Sequence, residues 1–133
     1  MRRRMAKVFD SSAVLAFLYD EPGADKVRVD LPDGVISAVN AAEVLAVLVR
    51  NGAPLEDASL ALQKTRLKVQ EFSLAGAAKT AALLSPQSRS LGLSPGDRAC
   101  MATAILLKLP AVTAERIWTG IEVPDLRIEC IRG

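Results

Sequence analysis

The chain has 133 residues, half of them hydrophobic, a net charge of +2 and no histidine. That is one domain of ordinary size with a real core, expected to span residues 1–133, and disorder is excluded. The missing histidine excludes a Ser-His-Asp or Cys-His nucleophile and any His-ligated zinc site, while the mild positive charge permits nucleic acid as a partner without demanding it.

Arg2, Arg3 and Arg4 resemble the basic start of a signal peptide, but Lys7 and Asp10 interrupt what would be its apolar segment. The trio is expected to be a solvated arm, with contact to a nucleic acid backbone as the weaker reading. The longest apolar runs, such as Ala99 to Leu107, are too short to cross a bilayer, so a cytoplasmic protein is expected. Cys100 and Cys130 lie far apart in no metal or redox spacing and read as two buried core thiols.

Lys7 to Asp10 is the first predicted strand, carried by Val8 and Phe9, and it runs straight into a helix over Ser12 to Tyr19. A carboxylate that ends a strand and begins a helix sits on the sheet edge where ligands bind in open α/β folds. The competing reading of Asp10 is a helix N-cap. Glu21-Pro22-Gly23 ends this helix, and an amphipathic one follows over Ala24 to Leu31. After the Pro32-Asp33-Gly34 turn, Val35 and Ile36 form a second, buried strand.

Asn40 is the expected cap of the next helix, with Glu43 at capping-box spacing and Gly52 at its end. Pro54 opens a helix to about Lys68, and Val69 to Ser73 is a third strand candidate. Ala75 to Leu84 reads as a helix and Ser85 to Gly92 as a mobile loop. Ser94, Pro95 and Asp97 supply the cap, first position and capping-box acid of a buried helix that runs to Lys108. Ala111 to Thr113 is a fourth strand, and the polar–apolar alternation of Arg127 to Ile131 marks a last, edge strand. Strands alternating with helices predict an α/β fold with a mostly parallel central sheet covered on both faces.

Asp10, Glu43, Asp97 and Glu115 thus occupy comparable places, at strand ends or in first helical turns. Capping and the helix dipole explain any one of them, at about 0.3–1 kcal/mol each. They explain the set less well, because Glu43 and Asp97 lie in apolar stretches with no cation reserved for either, and a buried charge is costly unless it is paired or binds a metal. Oxygen-only ligands suit Mg²⁺ or Mn²⁺, which activate water and stabilise a phosphoryl transition state. Metal-assisted phosphodiester hydrolysis follows as the natural chemistry.

The stretches VFDSSAVLAFLYDEPGA, ISAVNAAEVLAVLVRNG and LSPGDRACMATAILLKLPAVTAERIW resemble PIN domains, specifically the VapC-type ribonuclease toxins of bacterial toxin–antitoxin pairs. The resemblance runs from Lys7 to the chain end, and GDRAC with the apolar helix after it is its most specific part. It implies a three-layer α/β/α sandwich, a Mg²⁺- or Mn²⁺-dependent endoribonuclease, RNA as substrate, a homodimer and a cognate antitoxin that blocks the site. It makes Asp10, Glu43 and Asp97 the site acids, Asp10 and Asp97 being the direct metal ligands. The family usually has Asp where this chain has Glu115, and it often lines its site with small polar residues where Ser12, Asn40 and Thr113 stand.

Other classes fit less well. A haloacid-dehalogenase-type phosphatase needs a second Asp where Ser12 stands; a receiver domain needs paired acids after the first strand and a late Lys; no Gly-rich phosphate loop follows any strand. The remaining rival is a non-catalytic binding module of the same fold whose acids are only helix caps, with DNA in place of RNA as a third possibility.

Overall fold

The computed structural model describes residues 5–133. The Arg2–Arg4 arm expected from the sequence lies outside the described residues. The element order is β1 (Val8–Phe9), α1 (Ser11–Leu18), α2 (Ala24–Asp30), β2 (Val35–Ser37), α3 (Ala38–Arg50), α4 (Leu55–Lys64), β3 (Lys68–Gln70), α5 (Leu74–Ala82), α6 (Pro86–Ser90), α7 (Pro95–Leu107), β4 (Ala111–Thr113), a 3₁₀ helix (Arg116–Gly120) and β5 (Ile128–Cys130). The five strands form one sheet in the order β3-β2-β1-β4-β5. Every pairing is parallel, with Val8 opposite both Val35 and Ala111.

Strand side chains alternate between faces, and the core divides accordingly. Phe9, Ile36 and Val112 point into one cluster with Val14 of α1, Val27 of α2, Val44 of α3 and Leu62 of α4. Val8, Val35 and Ala111 point into the other, against Cys100, Met101 and Ala104 of α7 and Trp118 of the 3₁₀ helix. Helices therefore cover both faces, giving the three-layer α/β/α sandwich with an all-parallel sheet. The central strands are apolar on both sides, as burial on two faces requires. Helix α7 is wrapped by core because its residues from Ala99 to Ala104 are all buried.

Four local expectations are corrected. Helix α3 begins at Ala38, capped by Ser37, whose Oγ accepts the Asn40 backbone N–H. Asn40 is therefore inside the first turn and Glu43 inside the second, too deep for a capping box. Helix α4 stops at Lys64, four residues before the expected end, where Arg66 takes a positive φ of 62°; β3 accordingly starts at Lys68. The stretch from Ser85 to Gly92 is not simply loop: Ser85 and Ser88 cap each other reciprocally around the short α6. Cys100 is buried as expected, but Cys130, on the edge strand, is only partly so.

Gly23 ties the chain end to the first helical layer. It caps α2 at a φ of 97°, and a Cβ there would fall 2.7 Å from Ile131 Cδ1. Gly23→Ala thus meets backbone strain and a collision together, and is expected to cost at least about 2 kcal/mol. Urea denaturation checks this as a lower midpoint at unchanged slope.

Candidate active site

Parallel strands present their C-terminal ends on one edge, and the acids gather there. Asp10 follows β1 and begins α1. It is 1% exposed, and its side chain makes no capping bond to the helix. Instead Oδ2 accepts from Ser12 Oγ at 2.6 Å and from Thr113 Oγ1 at 3.2 Å. Those hydroxyls are themselves fixed by the turn after β4, since Ser12 Oγ accepts from Ala114 N at 3.0 Å and Thr113 Oγ1 from Glu115 N at 3.0 Å. Asp10 Oδ1 is buried and has no hydrogen-bond partner. Burial pushes the Asp10 carboxyl up to about 7; the Asp97 and Glu43 charges push the same way, against the Ser12 and Thr113 hydrogen bonds.

Glu43 reaches the same edge from the second turn of α3. Its Oε1 accepts from Asn40 Nδ2 at 2.8 Å and from Ser11 Oγ at 3.1 Å. Asp97 does form the expected capping box with Ser94: its Oδ2 accepts from Ser94 N at 2.9 Å. Partial burial and the Glu43 charge raise the Asp97 carboxyl, opposed by its bonds to Ser94 and by Arg98. Glu115 sits exposed at the start of the 3₁₀ helix. Partial desolvation and then the Asp97 charge raise it, with Arg132 pulling back and Glu43 adding a smaller push.

Asp10, Glu43 and Asp97 therefore lie within electrostatic reach of one another, and Glu115 within reach of Asp97 and Glu43. Among the described residues the ion pairs join Lys7 to Asp30 and Glu129, Arg28 to Asp25 and Arg132 to Glu21, so none neutralises a member of this set. Nor do any three Asp, Glu or Cys side chains among the described residues close into a ready ligand cage. Asp97, for one, keeps its Oδ2 on the Ser94 backbone of its own helix. Capping accounts for Asp97 but not for Asp10, which makes no cap bond, nor for Glu43, which is past the first turn. The donor set nonetheless fits a hard divalent cation: carboxylate oxygens only, one of them buried and unpartnered, with like charges around it.

Beside the acids runs an open cleft of about 1280 Å³, lined among others by Leu15, Tyr19, Lys26, Val47, Arg116 and Ile131. It meets the acid cluster at Ser12 and Glu115. Sequence reading did not single out three residues that shape the site. Ser11 was hidden beside Ser12. Ser37 was passed over for Asn40 as the cap. Gly96, between Pro95 and Asp97 in a helical turn, is a visible signal, because glycine is disfavoured in helices unless something approaches closely. A Cβ on Gly96 would lie 2.6 Å from Glu43 Cδ.

The PIN domain family matches residues 7–122. A search of curated proteins finds no match. Among solved structures, VapBC2 from Rickettsia felis bound to a promoter DNA fragment superposes with a TM-score of 0.70 at 18% identity, covering 95% of this chain and 98% of that one. A toxin–antitoxin complex from Klebsiella pneumoniae gives 0.68 at 20% identity, covering 90% and 94%. VapBC-1 from nontypeable Haemophilus influenzae gives 0.67 at 17% identity, covering 96% and 98%. At these identities the likeness establishes the fold.

Proposed function

The chain belongs to the PIN-domain family, and from that membership we propose that it is a Mg²⁺- or Mn²⁺-dependent endoribonuclease, the toxin of a toxin–antitoxin pair. The observation that carries the reading is Asp10: a fully buried carboxylate with one unpartnered oxygen, facing two further acids and no cation. Such a group is expensive to keep ionised unless a cation joins it. Its Oδ2 is locked by Ser12 and Thr113, so Oδ1 is the oxygen left for that cation.

Asp10 and Asp97 would hold the cation, with Glu43 completing or orienting its surroundings. A bound divalent ion supplies Lewis-acid activation of water and neutralises charge on the scissile phosphate. The protein's own part is to hold three acids rigidly at one edge. Ser12 and Thr113 fix the plane of the Asp10 carboxylate, the Ser94 cap fixes Asp97, and the cleft would take a chain along the rim at Ser12 and Glu115.

The kind of partner is supported by the solved toxin–antitoxin complexes that share this fold. It is supported too by apolar surface left open on the first helical layer, where Tyr19 and Val49 are exposed and Leu15 and Val47 line the cleft. We assign that surface to a cognate antitoxin and to a second copy of the chain. Among the described residues no helix is long and apolar enough to cross a membrane.

The test is cleavage of a defined RNA across Mg²⁺ and Mn²⁺ titrations, with an equivalent DNA strand alongside. The reading fails if the parent protein cleaves no RNA, or cleaves it equally well in chelator. Expression alone is expected to arrest growth, and co-expression of the partner to relieve it.

Glu115 yields a graded expectation. A Glu carboxylate reaches one C–C bond, about 1.5 Å, further than an Asp carboxylate, and this one starts from an exposed rim position. That favours action through water over direct contact with the cation. Glu115→Gln is expected to lower cleavage by about tenfold, within the range for outer partners, with extra Mn²⁺ restoring part of it. Glu115→Asp should stay near the parent rate. Equal rates for Glu115→Gln and parent at every metal concentration would reduce the site to three acids.

A further inference from the structure

Glu43 is held as Asp10 is, with both of its donors converging on one oxygen. Ser11 Oγ and Asn40 Nδ2 donate to Oε1, and among the described residues Oε2 accepts no bond. Asn40 itself is 0% exposed. Its second amide hydrogen goes to the Gly96 carbonyl at 3.0 Å, and its Oδ1 accepts from Ser37 Oγ at 2.6 Å. Ser37 Oγ already accepts the Asn40 backbone N–H, so its own hydrogen is free to be given. A flipped amide would set its oxygen against both Glu43 Oε1 and the Gly96 carbonyl, two acceptor-to-acceptor contacts in a buried place. The network therefore admits one orientation of Asn40 and, through it, one orientation of the Glu43 carboxylate.

We propose that Asn40 is a positioning residue that, with Ser11, pins Glu43 Oε1 and leaves Oε2, which packs against Gly96, as the oxygen of Glu43 free of hydrogen bonds. The inference rests on reading the acids as a metal site. Asn40 also fixes spacing. It joins α3 to the Gly96 carbonyl, one residue before Asp97, so a single amide sets the separation between the Glu43 and Asp97 carboxylates. A buried amide with three such bonds would be dispensable to the site if it served only to cap α3, since Ser37 already does that.

The test is a double-mutant cycle on the full chain, read by Mn²⁺ affinity in calorimetry, extended to millimolar Mn²⁺, and by RNA cleavage. Asn40→Ala is expected to weaken Mn²⁺ binding by about 10–100-fold in the parent and by less than about twofold in the Glu43→Gln background. A purely structural asparagine would cost the same in both backgrounds, and that result overturns the proposal, as does unchanged affinity in the parent. Ser11→Ala removes the other donor at a half-buried first-turn position and covers the case in which Asn40→Ala does not fold. Its cycle should show a loss of about threefold to tenfold, again absent with Glu43→Gln; equal losses overturn the proposal. A parent that takes up no Mn²⁺ overturns both this inference and the metal-dependent reading. A parent that binds Mn²⁺ with Asn40 and Ser11 both irrelevant overturns the inference alone.

Discussion

Asp10→Asn is expected to abolish RNA cleavage and, in chelator, to make the protein more stable than the parent above neutral pH. The loss of activity should exceed about 100-fold, the upper end for losing an outer-shell partner, because the orphaned Oδ1 is the oxygen the cation would take. The stability gain follows from linkage. Burial raises the Asp10 carboxyl from 3.8 to about 7 in the folded chain. Below about pH 3 the group is protonated in both states and carries no penalty. As pH rises from 4 to 7 the unfolded chain ionises and the folded chain resists, so stability is lost over that window and stays lost above it. A shift of that size corresponds to an upper limit of about 4 kcal/mol. Asparagine keeps an oxygen for Ser12 and Thr113 but places its NH₂ where Oδ1 had no partner, which takes back about 1–3 kcal/mol. A net gain of about 1–3 kcal/mol is expected at pH 8, shrinking toward zero or below at pH 4. Thermal unfolding at both pH values, with and without Mn²⁺, checks it. Mn²⁺ should stabilise the parent and leave Asp10→Asn unmoved. A parent more stable than the variant at pH 8 in chelator would mean that Asp10 is already compensated.

Gly96→Ala carries the second large effect, and two opposing terms decide its form. Alanine in place of glycine favours a helix by up to about 1 kcal/mol. Here the new Cβ would collide first with Glu43 Oε2 and lie 2.6 Å from Cδ and 2.7 Å from Oε1, so the carboxylate must leave its seat. The seat is lost while the core is spared, since Glu43 is a half-buried side chain at the sheet edge. Stability should change by less than about 1 kcal/mol, while cleavage falls to the level of Glu43→Gln. A fully active Gly96→Ala would show that Glu43 can be displaced without cost and that its fixed orientation is irrelevant.

Much of this site could be read from the chain alone, and where reading failed the reasons are physical. Asp10 stood out because Val8 and Phe9 are strand formers followed at once by helix formers. Ala111–Thr113 was bracketed by Pro110, and Ser94-Pro95-Gly96-Asp97 carried three start signals in a row. A mostly parallel sheet followed from the alternation of elements, and every pairing proves parallel. The start of α3 was misread because Asn40 and Glu43 match the capping-box spacing, whereas the true cap, Ser37, forms no box. The end of α4 was overrun because an arginine, Arg66, takes the left-handed turn where glycine would have advertised it. The short α6 was invisible because its polar sequence has no apolar period; two serines hold it by reciprocal caps. No pattern in sequence could show that Asn40 spans from Glu43 to Gly96, 56 residues away in the chain.

The strand order also sets a timetable for synthesis. Strand β1 lies at the centre of the sheet, yet one of its two neighbours is β4, which pairs Val8 with Ala111. Asp10 depends on the same late arrival, since Thr113, its second hydroxyl partner, is 103 positions downstream. A nascent chain emerging from its N-terminus holds Asp10 and Glu43 early but has neither the seat for Asp10 nor the helix bearing Asp97 until most of the chain has been made. On the proposed reading, the acid cluster stays incomplete, and so inert, until α7 and β4 have both been made.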